Sequence, residues 1–120
     1  MPSHEELLRR LREGPPILLD GPVGTELTRR GVDTSLPLWS ASALIDAPDE
    51  VARVHREYAS AGAEVLTTNT FRTHRRSLAR AAMGDRCEEL ARLAVELARA
   101  AGTTWVAGSV APLEDCYRPD

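Results

Sequence analysis

Three polar stretches stand where apolar runs of the sequence end, and their groups could bind a small molecule. They are Asp20-Gly21, Asn69-Thr70-Phe71 and Gly108-Ser109. Together they offer a carboxylate that can accept from an ammonium group, backbone N–H groups beside a glycine, an amide and one aromatic ring. That combination suits a small zwitterionic ligand such as an amino acid.

Asp20 allows two interpretations when it is taken alone. Asp-Gly is common in turns because both residues tolerate the backbone angles that a turn needs, so residue 20 could simply reverse the chain. The carboxyl end of a strand is also where α/β folds build their binding sites, so the same carboxylate could face a ligand. The elements around Asp20 must distinguish a turn from a presented charge.

The elements that position these stretches alternate between short strands and helices. Residues 17–19 (ILL) are too short for a helix and apolar throughout, which predicts a strand buried on both faces, as in a parallel sheet. A second strand is predicted in the apolar half of 64–71, with residues 68–71 emerging at its carboxyl end, and a third short strand is predicted at 104–112, again passing from apolar to polar residues. A Pro- and Ser-bearing loop containing Trp39 follows the first of the intervening helices. Those helices are predicted at 23–31, 46–62, 75–83 and 85–102.

A leading helix precedes the first strand. Ser3 and Glu6 have the spacing of a capping box, three leucines form an apolar stripe, and Gly14-Pro15-Pro16 ends the helix. Each later connection is long enough for a right-handed crossover between parallel strands. The sequence therefore predicts an α/β fold with three parallel strands, whose carboxyl ends and polar stretches share one edge of the sheet.

The composition argues against several classes of function. The 15 basic residues are all arginines, never more than two in a row, and the net charge is -3, so no nucleic-acid-binding surface is indicated. No apolar stretch approaches the roughly 20 residues of a membrane span and the N-terminus lacks a signal-peptide layout, which predicts a cytoplasmic protein without membrane contact. A phosphate-binding loop is not indicated, because GPVG matches no glycine fingerprint and the chain has no lysine.

The histidine and cysteine positions have ordinary explanations. His55 falls on the apolar stripe of helix 46–62, so we interpret it as a packed residue, with a functional role as the alternative. Cys87 and Cys116 lie far apart and belong to no Cys-x-x-Cys or Cys/His pair, so neither a disulfide framework nor a zinc site is signalled. Residue patterns alone predict a small-molecule site on the rim of a parallel sheet and leave the reaction open.

Four segments together carry a family resemblance. They are LLDGPVGTELTRRG, LWSA, VARVHREYASAGAEVLTTNTF and VAGSVAP, in this order. The chain resembles the homocysteine S-methyltransferase family, which includes betaine- and S-methylmethionine-dependent enzymes and the homocysteine-binding module of cobalamin-dependent methionine synthase. The pairing of Asp-Gly-x-x-Gly-Thr-Glu-Leu with Ala-Gly-Ala-x-x-x-Thr-Thr-Asn-Thr-Phe makes this resemblance specific.

The fold that the resemblance implies is a parallel-stranded (β/α)8 TIM barrel. This chain would supply an N-terminal helix and about the first three strands of it. Residues 1–120 would form the N-terminal portion of a single homocysteine-binding barrel domain, with residues 1–16 as a leading helix and linker. A missing C-terminal part would complete the barrel.

The function that the resemblance implies is methyl transfer from an activated donor to the sulfur of homocysteine, giving methionine. Both substrates are small molecules, and the step belongs to methionine biosynthesis. By motif match, the residues that would bind homocysteine are Asp20, Gly21, Asn69, Thr70, Phe71 and Ser109. The first two would hold the amino-acid end of the ligand, and the others would line the pocket beside it.

Zinc is the cofactor that the resemblance implies, because in this chemistry zinc binds the thiol and keeps it as a thiolate near neutral pH. The family's zinc ligands are cysteines of an Asn-Cys and a Gly-Gly-Cys-Cys motif. Neither motif occurs in the 120 residues, so no metal ligand or catalytic residue is assigned and the zinc ligands are expected outside this chain. Cobalamin and folate are compatible but not indicated, and the methyl donor stays open.

Two other functions stay open beside methyl transfer. One is a non-catalytic fragment or truncated paralogue that needs a complementary chain, because three strands leave a barrel open and its sheet edges exposed. The other is a different small-molecule barrel enzyme, if the motif match is coincidental.

Overall fold

The computed structural model describes residues 2–114 and 116–118. Within these residues the structure has two short strands, β1 (Val65–Thr67) and β2 (Trp105–Ala107), and 3-10 helices at Trp39–Ser42 and Gly84–Arg86. The α-helices are α1 (His4–Glu13), α2 (Val23–Arg29), α3 (Ala43–Asp46), α4 (Pro48–Ser60), α5 (Arg75–Ala79) and α6 (Cys87–Arg99).

The sheet is parallel. β1 pairs with β2 so that Val65 lies beside Trp105 and Thr67 beside Ala107. Leu19 makes a single parallel bridge to Val65 on the opposite edge of β1. Helices fill both connections between these three segments, so the predicted α/β fold with parallel strands is confirmed.

The first predicted strand is reduced to one bridging residue. Its backbone is in place, because the Leu18 carbonyl accepts from the Glu64 N–H at 2.8 Å and the Asp20 N–H donates to the Val65 carbonyl at 3.0 Å. The Leu18 and Leu19 residues, however, are 54% and 63% exposed, so the prediction of burial on both faces is wrong. Burial of a strand needs covering layers, and residues 2–114 and 116–118 leave more than half of each leucine uncovered.

Helix α1 begins as its capping-box spacing predicts, with the Ser3 hydroxyl accepting from the Glu6 N–H at 3.2 Å. None of its residues is fully buried; Leu7 and Leu8 are half-buried and Leu11 is 61% exposed, so the predicted apolar stripe is only partly packed. The guanidinium of Arg10 donates to both carboxylate oxygens of Glu64, at 3.0 and 3.3 Å. This ion pair therefore links α1 to the residue that directly precedes β1.

The hydrophobic core lies among the helices. As predicted from the stripe on helix 46–62, α4 turns Val51, Val54 and His55 inward. Gly31 and Gly62 follow α2 and α4 with φ angles of 82° and 109°, a left-handed conformation that glycine adopts without strain. The core side chains include Leu27, Ala41, Leu44, Val51, Val54, Leu78, Leu90 and Ala94.

The segment around Trp39 is more regular than the predicted loop. It forms the 3-10 helix Trp39–Ser42 and continues directly into α3. Two observations explain this: the Ser42 hydroxyl donates to the Trp39 carbonyl at 2.8 Å, and Ala43 and Leu44 are buried in the core. Packing of two apolar side chains thus orders a stretch whose local sequence predicts a loop.

The helices of this fold are short. α4 and α6 have 13 residues each. Over the part of the chain that the structure describes, no helix combines the length and the apolar character needed to cross a membrane.

Candidate functional site

The three polar stretches do meet at one edge of the sheet. The Asp20 N–H donates to Val65 in β1, and the Thr68 N–H donates to the Ala107 carbonyl at 2.9 Å. The segments that end at Leu19, Thr67 and Ala107 are hydrogen-bonded to one another side by side. Their next residues, Asp20, Thr68 and Gly108, therefore lie at the same edge of the sheet. The predicted convergence of the strand ends is confirmed, and their polar groups divide into two sets on this rim.

The first set is the Asp20 side, which comprises Asp20, Gly21, Thr67 and Asn69. Both carboxylate oxygens of the half-buried Asp20 are hydrogen-bonded to Thr67, one accepting from its N–H at 2.8 Å and the other from its hydroxyl at 3.0 Å. Asp20 is thus tied across the sheet to the end of β1. A carboxylate has about four acceptor positions, so roughly two stay free for a cationic group.

Gly21 lies against the aromatic ring of Tyr58 on α4. A β-carbon at Gly21 would come within 2.7 Å of the Tyr58 hydroxyl oxygen and 3.1 Å of two ring carbons. The same hydroxyl donates to the Pro22 carbonyl at 3.2 Å. Glycine at position 21 therefore allows α4 to support the loop that carries Asp20.

Asn69 is almost fully buried, at 3% exposure, and its side-chain N–H donates to the Ser40 carbonyl at 2.9 Å. This contact fastens the end of β1 to the 3-10 helix Trp39–Ser42. The Asn69 amide oxygen has no hydrogen bond within the described residues. Asn69 thus lies on the Asp20 side with one acceptor to offer.

The second set is the Thr70 side, which comprises Thr68, Thr70 and Ser109. The Thr70 hydroxyl donates to the Ser109 carbonyl at 2.7 Å, and the Ser109 N–H donates to the hydroxyls of Thr70 and Thr68, at 3.2 Å each. The single hydroxyl proton of Thr70 is used in the bond to Ser109. In the 2.8 Å contact between the two threonine hydroxyls, Thr68 is therefore the donor and Thr70 the acceptor. The two threonine hydroxyls and the Ser109 backbone therefore use their hydrogen-bonding capacity on one another.

The Thr70 side also borders a different space. Thr68, Thr70 and Ser109 line a cavity of about 510 Å³ against α6, which reaches it with Cys87 and Ala91. Asp20, Asn69 and Phe71 are not among the residues that line this cavity. The six predicted site residues therefore share a rim without lining a single cavity.

Phe71 belongs to an aromatic stack with Trp39. Its ring is parallel to that of Trp39, with centroids 6.0 Å apart and an angle of 7°. The guanidinium carbon of Arg72 lies 4.3 Å from the Trp39 centroid and 5.3 Å from that of Phe71. Trp39 has a φ of 49°, an uncommon left-handed conformation for a bulky residue, in a segment that also supplies the Ser40 carbonyl to Asn69.

His55 lies in the core beneath this rim. It is fully buried, and neither ring nitrogen has a hydrogen-bond partner within the described residues. Burial lowers the pKa of His55 below its ordinary value of 6.5, and the negative charge of Asp20 opposes that shift. His55 is therefore a neutral imidazole near neutral pH, and it senses the Asp20 charge.

The described residues do not fit a zinc site. Within 2–114 and 116–118, no three or more His, Cys, Asp or Glu side chains converge in a way that could hold a metal ion. Cys87 and Cys116 are free and half-buried.

Sequence reasoning missed three members of the site. Thr67 and Ser40 bond to predicted residues that are 47 and 29 positions away, and such long-range pairs leave no local pattern. For Thr67 one signal existed, because Thr67 and Asn69 are two residues apart and strand side chains at that spacing share a face. Arg72 follows Phe71 directly, but nothing in the sequence distinguishes this arginine from the exposed ones.

Known proteins match this chain over most of its length. The family model described as homocysteine S-methyltransferase matches residues 17–120. The homocysteine S-methyltransferase of Escherichia coli (strain K12) is 35% identical over 108 residues, which cover 80% of this chain and 35% of the relative. The selenocysteine Se-methyltransferase of Brassica oleracea var. italica is 34% identical over 104 residues, 86% of this chain and 30% of the relative.

A solved structure shows the same fold. The crystal structure of the homocysteine methyltransferase MmuM from Escherichia coli, in its metallated form, matches with a TM-score of 0.76 and 35% identity. The match covers 88% of this chain and 41% of that one. The chain thus spans about a third of the length of the curated relatives described above.

Proposed function

This chain belongs to the homocysteine S-methyltransferase family, and from that premise we propose that its rim holds homocysteine for methyl transfer to sulfur, giving methionine. The observation that carries the proposal is the state of Asp20, a half-buried carboxylate positioned by two hydrogen bonds from Thr67. Its free acceptor positions suit the ammonium group of an amino acid.

The wider architecture is part of the same proposal. We place residues 1–120 in the N-terminal portion of a single (β/α)8 barrel domain, with residues 1–16 as its leading helix and linker. Parallel strands joined by helices support this placement, as does the likeness to the Escherichia coli enzyme. Sites of such barrels are built at the carboxyl ends of the strands, which is where Asp20 and Asn69 lie.

The other predicted site residues have different proposed roles. Gly21 serves the site by letting Tyr58 support the Asp20 loop, and Phe71 forms part of the wall. Thr70 and Ser109 bond to one another across the strand ends, so we propose that they hold the rim in shape. Their contribution to binding is indirect.

The reaction itself forms a bond between sulfur and the methyl carbon and breaks the bond between that carbon and the donor heteroatom, which keeps the electron pair. The thiol must first lose its proton, because the thiolate is the nucleophile. A zinc ion, if bound, would stabilise that thiolate. We propose that its ligands lie outside this chain, and that the rim described here binds and orients the acceptor.

A direct assay tests the proposed function. The full-length protein carrying this sequence is incubated with homocysteine and a methyl donor, either S-methylmethionine or betaine, and methionine is measured by mass spectrometry. Selenocysteine serves as a second acceptor, because one relative is named for it. Methionine formation that depends on the protein, and that falls in Asp20→Asn chiefly through a higher KM for homocysteine, is the expected result. Full activity in that variant would remove Asp20 from the site.

A further inference from the structure

Tyr58 on α4 contacts both residues that connect Asp20 to α2. Its ring lies against Gly21, where a β-carbon would come within 3.1 Å of two ring carbons. Its hydroxyl donates to the Pro22 carbonyl at 3.2 Å. Because α2 begins at Val23, these two residues are the whole connection between Asp20 and the helix. A shift of Tyr58 is therefore passed on directly to the backbone of Asp20.

The Asp20 carboxylate has its other support in the sheet. Thr67 donates to it with its N–H at 2.8 Å and with its hydroxyl at 3.0 Å. β1 therefore orients the side chain, and α4 holds the loop from which that side chain extends. The direction of the carboxylate matters for an ammonium ligand, because a charge-assisted hydrogen bond needs a short distance and good alignment.

The ring of Tyr58 is not enclosed on all sides. It lines a cavity of about 200 Å³ between α2 and α4, together with Glu26 and Val54. This free volume gives the ring room to turn away from Gly21. The hydrogen bond from the hydroxyl to the Pro22 carbonyl opposes such a movement. The hydroxyl, and not packing alone, therefore sets the position of Tyr58 under the loop.

The Tyr58 hydroxyl keeps its proton near neutral pH. Burial, followed by the negative charges of Glu26 and Asp20, raises the pKa of Tyr58 above its ordinary value of 10.0. The phenol is therefore a constant donor to the Pro22 carbonyl. The influence of the Asp20 charge on this pKa also shows that the two side chains are close enough to interact electrostatically.

We propose that Tyr58 is a positioning residue for Asp20, whose free acceptor positions it directs toward the ammonium group of the amino-acid substrate. This inference rests on the proposed function, because it assigns an outer support to a group of the same site. Tyr58 acts through the loop and does not touch the ligand. Selectivity for thiols that carry an ammonium group then depends on a hydrogen bond between α4 and the loop.

The test compares two ligands that differ only in the ammonium group. Homocysteine and 4-mercaptobutanoate, which carries hydrogen in place of that group, are titrated calorimetrically into the full-length protein and into Tyr58→Phe, which keeps the ring and loses the donor. Tyr58→Phe should weaken homocysteine binding by about 3- to 10-fold, the net contribution of one hydrogen bond, and change the Kd of 4-mercaptobutanoate by less than about twofold.

The matched control removes a hydroxyl that does not reach the loop. Thr28→Val deletes a hydroxyl of α2 that donates to the Gly24 carbonyl at 3.0 Å, within the same helix. Because Thr28 is exposed, this variant should change neither Kd by more than about twofold.

A second background separates a positioning role from a purely structural one. In Asp20→Asn, which lacks the charge, adding Tyr58→Phe should change the homocysteine affinity by less than about twofold, because two residues that act through one contact are not additive. A structural role would instead give the same loss with and without the Asp20 charge.

Three results would overturn the proposal: unchanged homocysteine affinity in Tyr58→Phe, an equal loss for both ligands, or an undiminished loss in the Asp20→Asn background. If Tyr58→Phe fails to fold, Tyr58→His, whose smaller ring does not reach the Pro22 carbonyl, is titrated in its place and must show the same selective loss. A wild-type protein that does not bind homocysteine at all contradicts the proposed function itself and removes the basis of this inference.

Discussion

The two sides of the rim use their polar groups in opposite ways. On the Asp20 side, a carboxylate receives two hydrogen bonds and keeps acceptor positions free, and the Asn69 amide offers another acceptor. On the Thr70 side, two hydroxyls and the Ser109 backbone bond to one another. Convergence at a sheet edge therefore does not define a site by itself. Binding capacity lies where hydrogen-bonding groups are held in place but not fully used.

The largest expected effect comes from Asp20→Ala. It removes the proposed ammonium partner and leaves the Thr67 N–H without its acceptor, so both the affinity for homocysteine and the stability of the fold should fall. We expect the Kd for homocysteine to rise by about 100-fold, and the free energy of unfolding, measured by urea denaturation, to fall by about 1–3 kcal/mol. Asp20→Asn can keep hydrogen bonds to Thr67, and it should lose affinity with little loss of stability.

Gly21→Ala should act through the support beneath the Asp20 loop. The new β-carbon would lie 2.7 Å from the Tyr58 hydroxyl, so either the ring or the loop must move. Overpacking of this kind costs about 1–3 kcal/mol of unfolding free energy. Adding Tyr58→Phe removes the closest atom and should restore part of the loss; strictly additive effects of the two substitutions would contradict this contact.

The pH dependence of stability should reveal the buried imidazole under the Asp20 side. The pKa of His55 is lowered by folding, so below its ordinary value of 6.5 the unfolded chain binds more protons than the folded one. The stability contributed by the neutral imidazole is thus present above pH 6.5 and is lost as pH falls from there through the folded-state pKa. His55→Gln should flatten this dependence in urea titrations between pH 7 and pH 5.

His74 provides the matched control, because burial and the nearby arginines lower its pKa as well. Its Nδ1 accepts from the Ser77 N–H at the start of α5, and asparagine can take over that capping bond. His74→Asn should therefore remove a second, separate part of the slope. A slope unchanged in His55→Gln and abolished in His74→Asn would assign the whole pH effect to α5.

The smallest effects are expected on the Thr70 side. Thr70→Val removes a hydroxyl that both donates and accepts, and it should lower the free energy of unfolding by about 1 kcal/mol. Ser109→Ala should cost less than about 0.5 kcal/mol, because Ser109 uses its backbone for the bonds to the threonines. Both variants should bind homocysteine within about twofold of the wild type. A loss of affinity as large as that of Asp20→Asn in either one would reverse our division of the rim.

The sequence predicts the framework better than the contacts. Apolar runs, together with the glycines and prolines that end them, are local features of the sequence. They predict the alternation of strands and helices, the parallel order and the position of Asp20. The burial of residues 17–19 could not be judged locally, because it depends on whether other elements cover Leu18 and Leu19. The helical turn at Trp39 has the same origin, since packing of Leu44 orders it.

The convergence of the candidate residues on one rim was predictable, but their division into two sets was not. Motif resemblance identifies Asp20 and Asn69, yet their partners Thr67 and Ser40 are brought in by tertiary structure. The separation of Thr70 from Asp20 is equally a result of packing, as is the burial of Arg72. These features arise from distances between chain segments, and periodicity along the sequence does not record them.

The central claim is that Asp20 binds the ammonium group of homocysteine, and calorimetric titration of the full-length protein tests it most directly. The wild type and Asp20→Asn are titrated with homocysteine and with 4-mercaptobutanoate, which lacks the ammonium group, and Thr67→Val controls for the lost hydroxyl contact. We predict that Asp20→Asn weakens homocysteine binding by about 30-fold or more, leaves 4-mercaptobutanoate binding unchanged or stronger, and that Thr67→Val changes neither Kd by more than about threefold. Unchanged homocysteine affinity in Asp20→Asn would contradict the claim.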